Sequence, residues 1–304
     1  MDKKSIIGFV LIFVVVVGWM YWQQATTPKP EKINLDKDTV TSSRNNIPEK
    51  DTLAKIIESN QTNDSTAKLK NFGSKFVNFS EGNDRWITIE NDVVKAVIST
   101  KGAVIKKWEL KTYKKWDGSP SQLIRDFGGE YFLTFVTYEG VKIDSRKLFF
   151  KVEDSNIADS IRINGSQKYS LNFYVEPEPG RKIIKRFTFF GDKYSFDSEI
   201  ITENMETIIP ATRGYNLVWE NGISYQEHNS VDESSDAHAL AQLNGDVAEL
   251  NADKEEPVES KETGIIDFIG IKTKYFGAAI IPEPWQSFDG TADLYGSKKL
   301  LKDN

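Results

Sequence analysis

Two histidines, His228 and His238, and no cysteine are available for acid–base, nucleophilic or metal chemistry in this sequence. The lack of cysteine removes disulfides, thiolate metal sites, a cysteine nucleophile and a lipid-modified N-terminal cysteine together. Both histidines lie in a strongly acidic segment, residues 227–262. Its carboxylates (Glu227, Asp232, Glu233, Asp236, Asp246, Glu249, Asp253, Glu255, Glu256, Glu259 and Glu262) meet only Lys254 and Lys261, a net of −9. Because the whole chain carries −6, the remainder sums to +3. A cation site is the first chemistry such a segment suggests, yet Asp246, Glu249 and Asp253 do not follow EF-hand spacing, in which oxygen ligands recur at nearly every second position around an obligatory glycine. The segment reads instead as an acidic loop, a solvated insertion. No nucleophile elbow, phosphate loop or paired-carboxylate constellation occurs elsewhere, so no catalytic, cofactor-binding or metal-binding residue is assigned. A negative chain also lacks the lysine and arginine excess that displaces counterions from nucleic acid.

Two further stretches could act by contact. "KKWELKTYKKWDG" interleaves Lys106, Lys107, Lys111, Lys114 and Lys115 with Trp108, Tyr113 and Trp116, a pattern suited to an anionic lipid face or a partner. On a regular strand Val104, Trp108 and Leu110 share one face with Lys106, while Lys107, Glu109 and Lys111 point the other way, so a core strand with a wet face accounts for the same residues. Tyr275, Phe276 and Trp285 flank Ala278-Ala279-Ile280-Ile281-Pro282 and could anchor a partner, although a nearly all-apolar central strand explains them equally.

The elements that must position these residues are strands. From about Arg85 onward, "RWITIEND", "VVKAVIST", "GAVIKKWELKTY", "EYFLTFVTYEG", "KLFFKVED" and "KYSLNFYVEPEPG" alternate apolar and polar residues between turn signals, the signature of antiparallel strands in a sandwich. "RKIIKRFTFF", Gly191-Asp192-Lys193 and "YSFDSEIITEN" form a hairpin by pattern alone. Upstream, residues 23–71 contain no aromatic residue and are dominated by Pro, Asn, Thr, Ser, Lys and Asp, a composition that cannot bury enough apolar surface to offset chain ordering. This predicts a polar, flexible tether over 25–83.

Before the tether, "IIGFVLIFVVVVGWMYW" runs uncharged from Ile6 to Trp22 behind Lys3 and Lys4. At 1.5 Å per residue it gives a helix of about 26 Å, just enough for a hydrocarbon core of about 30 Å. Its length, the Trp19, Tyr21 and Trp22 rim and a poor cleavage site behind it favour a retained anchor (1–24) over a cleaved signal peptide. A short basic head places the N-terminus inside and residues 84–304 outside the cytoplasm as one β-sandwich domain carrying the acidic loop 227–262.

This architecture and three stretches resemble the YidC/Oxa/Alb family of bacterial inner-membrane protein insertases. The stretches are the start "MDKKSIIGFVLIFVVVVGWMYW"; "VVKAVISTKGAVIKKWELKTY", with a strand, a glycine after a basic residue and a second strand; and "KYFGAAIIP", which looks like the family's "QYFATAWIP". The resemblance implies a first transmembrane helix, a tether and a large periplasmic all-β supersandwich of the galactose-mutarotase kind. It implies no cofactor, and as partners the lipid bilayer, the Sec translocon with its accessory subunits, and nascent membrane proteins. In the family five further helices follow and hold the insertion groove. This chain is therefore expected to carry the anchor and domain of a truncated insertase without that groove. The rival readings are an anchored peptide- or glycan-binding module and a mutarotase-like enzyme, the latter needing a carboxylate and a histidine placed on a sugar ring.

Overall fold

The computed structural model describes residues 65–125, 128–251, 255–283 and 288–297. The expected membrane anchor 1–24 lies outside them, as does the tether up to residue 64. Among the described residues no helix is long and apolar enough to cross a membrane.

The chain enters through helix α1 (residues 65–76), which runs into a 3-10 turn, Val77–Phe79. Composition predicts a tether over 25–83, but residues 65–79 are helical and packed on the domain, so that boundary is corrected. Phe72, Phe76 and Phe79 recur at i, i+4 and i+7, the helical period that gathers side chains on one face. Phe76 is fully buried, edge-on to Phe135 with ring centroids 5.3 Å apart, and Phe72 and Phe79 pack on the same core. The backbone N–H of Ser74 and its hydroxyl donate to the two carboxylate oxygens of Glu139, at 2.8 and 2.5 Å, tying α1 to the turn beneath it.

Behind α1 the fold is all-β and predominantly antiparallel, as the alternation predicts. One sheet has the order β4-β3-β2-β1-β8, built from β1 (Trp86–Glu90), β2 (Val94–Ser99), β3 (Val104–Lys114), β4 (Pro120–Gln122) and β8 (Ser160–Arg162). A second has the order β11-β10-β9-β7, built from β7 (Lys151–Val152), β9 (Lys168–Glu178), β10 (Arg181–Phe190) and β11 (Phe196–Glu203). Between them Ile87, Ile98, Ile105 and Trp108 meet Leu171, Phe173, Phe187 and Phe189 in one core, the buried alternate positions of each strand. A three-stranded sheet, β12-β5-β6, joins β5 (Phe132–Val136), β6 (Lys142–Asp144) and β12 (Tyr215–Val218). The predicted hairpin is β10–β11, in register from Lys182↔Glu203 to Phe189↔Phe196. The exception to antiparallel pairing is β1 with β8, which run parallel.

The acidic segment is not a loop. It contains a short helix α2 (Ser230–Ser234), β13 (His238–Leu243), β14 (Asp246–Asn251) and the first part of β15 (Val258–Lys272). With β16 (Gly277–Ile280) and β17 (Phe288–Gly296) these strands form the fourth sheet. Asn244 and Gly245 both have positive φ, 52° and 87°, so β13 and β14 are joined by the Asn-Gly turn whose twist suits a hairpin. Asp246, Glu249 and Glu259 occupy exposed strand positions, whereas Glu233 of α2 is fully buried and accepts from the backbone N–H groups of Gln226 and Glu227; Ala241, Leu243, Leu250, Ala292 and Leu294 bury a second, small core. High charge hid a period-two pattern that "VESKETGIIDFIGIK" carries throughout β15, whose positions alternate between half-buried and exposed along most of their length. The apolar stretch around Tyr275 is corrected as well. It forms β16, which among the described residues pairs with β15 alone and stands at the sheet edge rather than at its centre.

Candidate functional site

The lysine–aromatic stretch forms β3 and the turn after it. A register shift between Val97↔Lys107 and Ile98↔Ile105 leaves Lys106 as an unpaired bulge residue. Strict alternation would aim Lys106 into the core beside Trp108. The bulge turns it out instead, where its amine donates to Gly128 O at 2.8 Å, and puts Ile105 on the core side. Lys111 is also spent within the fold, donating to Glu90 Oε1 at 3.0 Å and Asn91 O at 2.8 Å. Its hydrogen bond, followed by that of Arg162, holds the Glu90 carboxyl below the usual range. Beyond Leu110 the strand outruns β2, and residues 111–114 are all exposed.

That projecting end collects aromatic residues from three distant parts of the chain. Tyr113 meets Phe276 edge-on with centroids 5.6 Å apart and Tyr194, from the β10–β11 turn, at 6.2 Å. Trp116 stands perpendicular to His228 at 4.7 Å. The Trp116 turn is rigidly built: Trp116 N donates to Gln226 O, and Asp117 accepts from the Ser119 backbone at 2.9 Å and hydroxyl at 2.6 Å. Those two bonds lower the Asp117 carboxyl. The β15–β16 turn is fixed from the other side, where Lys274 donates to Asp232 on α2 at 2.5 Å, a pairing that raises the Lys274 amine. Four rings nevertheless stay open to solvent, Tyr113 at 48%, Trp116 at 61%, Tyr194 at 43% and Tyr275 at 50%. Large aromatics held open on a rigid frame have the composition of interface anchors.

The core of the domain holds unexpected polar groups. Lys185 of β10 is fully buried on the same strand face as Ile183 and Phe187. Its amine donates to Ala103 O at 2.6 Å and Tyr131 O at 2.7 Å and lies over the Tyr131 and Phe187 rings. Ala103 and Tyr131 both adopt left-handed backbone, φ 46° and 66°, costing roughly 1–2 kcal/mol each. Burial pushes the Lys185 amine down to about 7. Next to Tyr131, the buried Glu130 carboxylate accepts from Glu220 N at 2.7 Å and from Asn221 N at 3.1 Å and Nδ2 at 2.7 Å. Burial outweighs these bonds and raises its carboxyl. The Tyr131 hydroxyl, pushed up to about 12 by burial, donates to Ser198 Oγ at 2.5 Å. The clue to Lys185 in the sequence is a lysine at core parity in "RKIIKRFTFF".

The histidines do not meet in a pocket. His228 packs on Trp116, whereas His238 contacts Glu249 across the β13–β14 pair without an aligned hydrogen bond. A carboxylate and a histidine thus come together on a strand surface. Two shallow hollows, about 160 and 260 Å3, are lined by neither histidine. Among the described residues no group of three or more His, Asp or Glu side chains could hold a metal ion.

Fold and surface together define a class: an antiparallel β domain that gathers half-exposed aromatics at the end of β3. Residues 86–299 match the sequence profile of the YidC periplasmic domain, and the chain belongs to that family. It is 32% identical over 302 residues to the "Membrane protein insertase YidC" of Chlorobaculum tepidum, covering 98% of this chain and 49% of that protein. The proteins of the same name from Chlorobaculum parvum and Chlorobium luteolum are 31% and 30% identical, covering 98% and 97% of this chain and 48% of each relative. The chain thus spans about half the length of these relatives. Among solved structures, a galactose mutarotase related enzyme from Lactobacillus acidophilus aligns with 69% of this chain and 84% of its own, at 12% identity and a TM-score of 0.34. A likeness at that level carries no argument.

Proposed function

We propose that this chain is the N-terminal part of a membrane protein insertase and that its β domain serves insertion without catalysis, by docking. The observation that carries this reading is the alignment with relatives named as insertases over 98% of the chain. In this reading residues 1–24 are the first transmembrane helix in the bacterial inner membrane, residues 25–64 the tether, and the β domain faces the periplasm. Tyr113, Trp116, Tyr194 and Tyr275 form the docking face, and the Sec translocon, its accessory subunits and nascent membrane proteins are the partners. His238, whose side chain is 17% exposed, pairs with Glu249 across β13 and β14 and lines neither of the two hollows, which supports a non-enzymatic role, since sugar chemistry needs a ring held between acid and base.

A pull-down with the domain from residue 65 onward tests this. Recovery of translocase components, weakened by Tyr113→Ala with Trp116→Ala, is expected. The open rings could also stack on sugars, so recovery of glycan or peptide alone would overturn the insertase assignment. Anomer interconversion abolished by His238→Ala would overturn the non-enzymatic one.

A further inference from the structure

Helix α2 carries adjacent carboxylates, Asp232 and Glu233, which at 3.6 residues per turn leave the helix about 100° apart. Glu233 turns into the protein and is fully buried. A carboxylate taken out of water is costly unless donors meet it. Here a single oxygen, Oε2, accepts from the backbone N–H groups of Gln226 at 2.6 Å and Glu227 at 2.8 Å. Gln226 passes this hold on, since its carbonyl accepts from Trp116 N at 3.1 Å and its side-chain amide donates to Gln122 O of β4 at 3.0 Å. Two residues further along, the His228 ring stands against Trp116. One residue, Gln226, thus links the buried Glu233 carboxylate to the Trp116 turn.

Asp232 turns outward, its side chain 58% exposed, and pairs with Lys274 at 2.5 Å. Lys274 directly precedes Tyr275, over whose ring its amine lies at 5.5 Å, and Phe276, the residue that meets Tyr113. Five residues are too few for a helix to hold itself together in water, so α2 persists through these contacts and through its cap, in which the Asn229 side chain accepts from Asp232 N at 3.3 Å. We propose that α2 is a latch for the aromatic face: Glu233 positions the Trp116 turn, Asp232 positions the β15–β16 turn that carries Tyr275 and Phe276, and releasing either carboxylate loosens those rings while the sandwich stays folded. Its consequence for partners rests on the docking function proposed above. Glu233, being fully buried, acts only through the residues it holds. The latch explains how turns from distant parts of the chain present their rings together, and why a buried position carries a carboxylate where an apolar side chain would pack without the cost of desolvation.

The test uses the full chain in a neutral detergent, with amide hydrogen exchange measured in the absence of any partner. Glu233→Gln keeps the shape and removes the charge. It should speed exchange of the Gln226 and Glu227 amides about tenfold, because hydrogen bonds to a charged group are the stronger kind, and the Trp116 amide should speed up with them. Asp232→Asn should speed exchange at residues 274–276 by up to about fivefold, the scale of an exposed ion pair, and the double change Asp232→Lys with Lys274→Asp should restore the protection. Unchanged exchange in β9 and β10 would show that each variant is folded. If Gln226 and Glu227 speed up while Trp116 does not, or if none of the three responds, the latch is overturned, since the turn is then held by Asp117 and Ser119 alone. The same chains are then used to recover translocase components. Recovery equal between wild type and Glu233→Gln, with Trp116 loosened, overturns the role of the latch in docking. No recovery by the wild type, with exchange behaving as expected, overturns the docking function and leaves the latch standing, so the two fail separately.

Discussion

Replacing Lys185 with Met should flatten the pH dependence of the domain's stability. The folded protein holds this amine at about 7, against an ordinary value of 10.5, because burial disfavours the cation. Between those values the unfolded chain binds the proton and the folded chain does not, so stability rises with pH across that window and the benefit is absent below about 7. The slope is about 1.4 kcal/mol per unit, so the rise between pH 7 and pH 9 is on the order of 3 kcal/mol. For a domain of this size that corresponds to roughly 6–12 °C in Tm. At pH 9 the neutral amine still donates to Ala103 and Tyr131, and methionine would strand both carbonyls at about 1–3 kcal/mol each, partly offset by its apolar burial. The assay is urea unfolding and thermal melting of the domain from residue 65 onward, wild type and Lys185→Met, at pH 6, 7, 8 and 9. The wild type should gain on the variant steadily above pH 7. Parallel curves across the range would refute the reasoning and show that the amine stays charged within its carbonyl and ring contacts.

Other changes probe single features. Phe76→Ala should cost about 3–5 kcal/mol by opening a cavity in the core, measured by urea midpoint, and a neutral result would return α1 to the tether. Gly129→Ala should destabilise by about 1–3 kcal/mol, because its φ is 101° and a Cβ would come within 2.5 Å of Val104 Cγ2; a thermal melt reads the loss. Trp116→Ala, at a 61% exposed position, should move stability by no more than about 0.5 kcal/mol, so any loss of partner binding in that variant reports on docking and not on folding.

Much of the fold was legible because its cause is local. Alternation along β9 and β10 dictates which side chains are buried, and no distant information is needed to see it. Two local signals are masked by their surroundings. The Phe72, Phe76, Phe79 spacing follows a polar stretch whose composition outweighs it, and Asn244-Gly245, a strong hairpin signal, stands among carboxylates. The Lys106 bulge and the burial of Lys185 are of another kind. A bulge is fixed by the neighbouring strand's register, and a lysine can be buried only where carbonyls from Ala103 and Tyr131 arrive from elsewhere. The aromatic surface was the least legible feature. Its residues were visible one stretch at a time, but Tyr113, Tyr194 and Phe276 meet only because three sheets place their turns together.

The central claim, that this domain serves insertion through its aromatic face, is tested most directly by placing a photo-crosslinking residue at Trp116 in the full chain in cells. Adducts with translocase subunits or nascent membrane proteins are predicted, with none from Val247, an exposed position on β14. Adducts from Val247 but not from 116, or from neither, would contradict it.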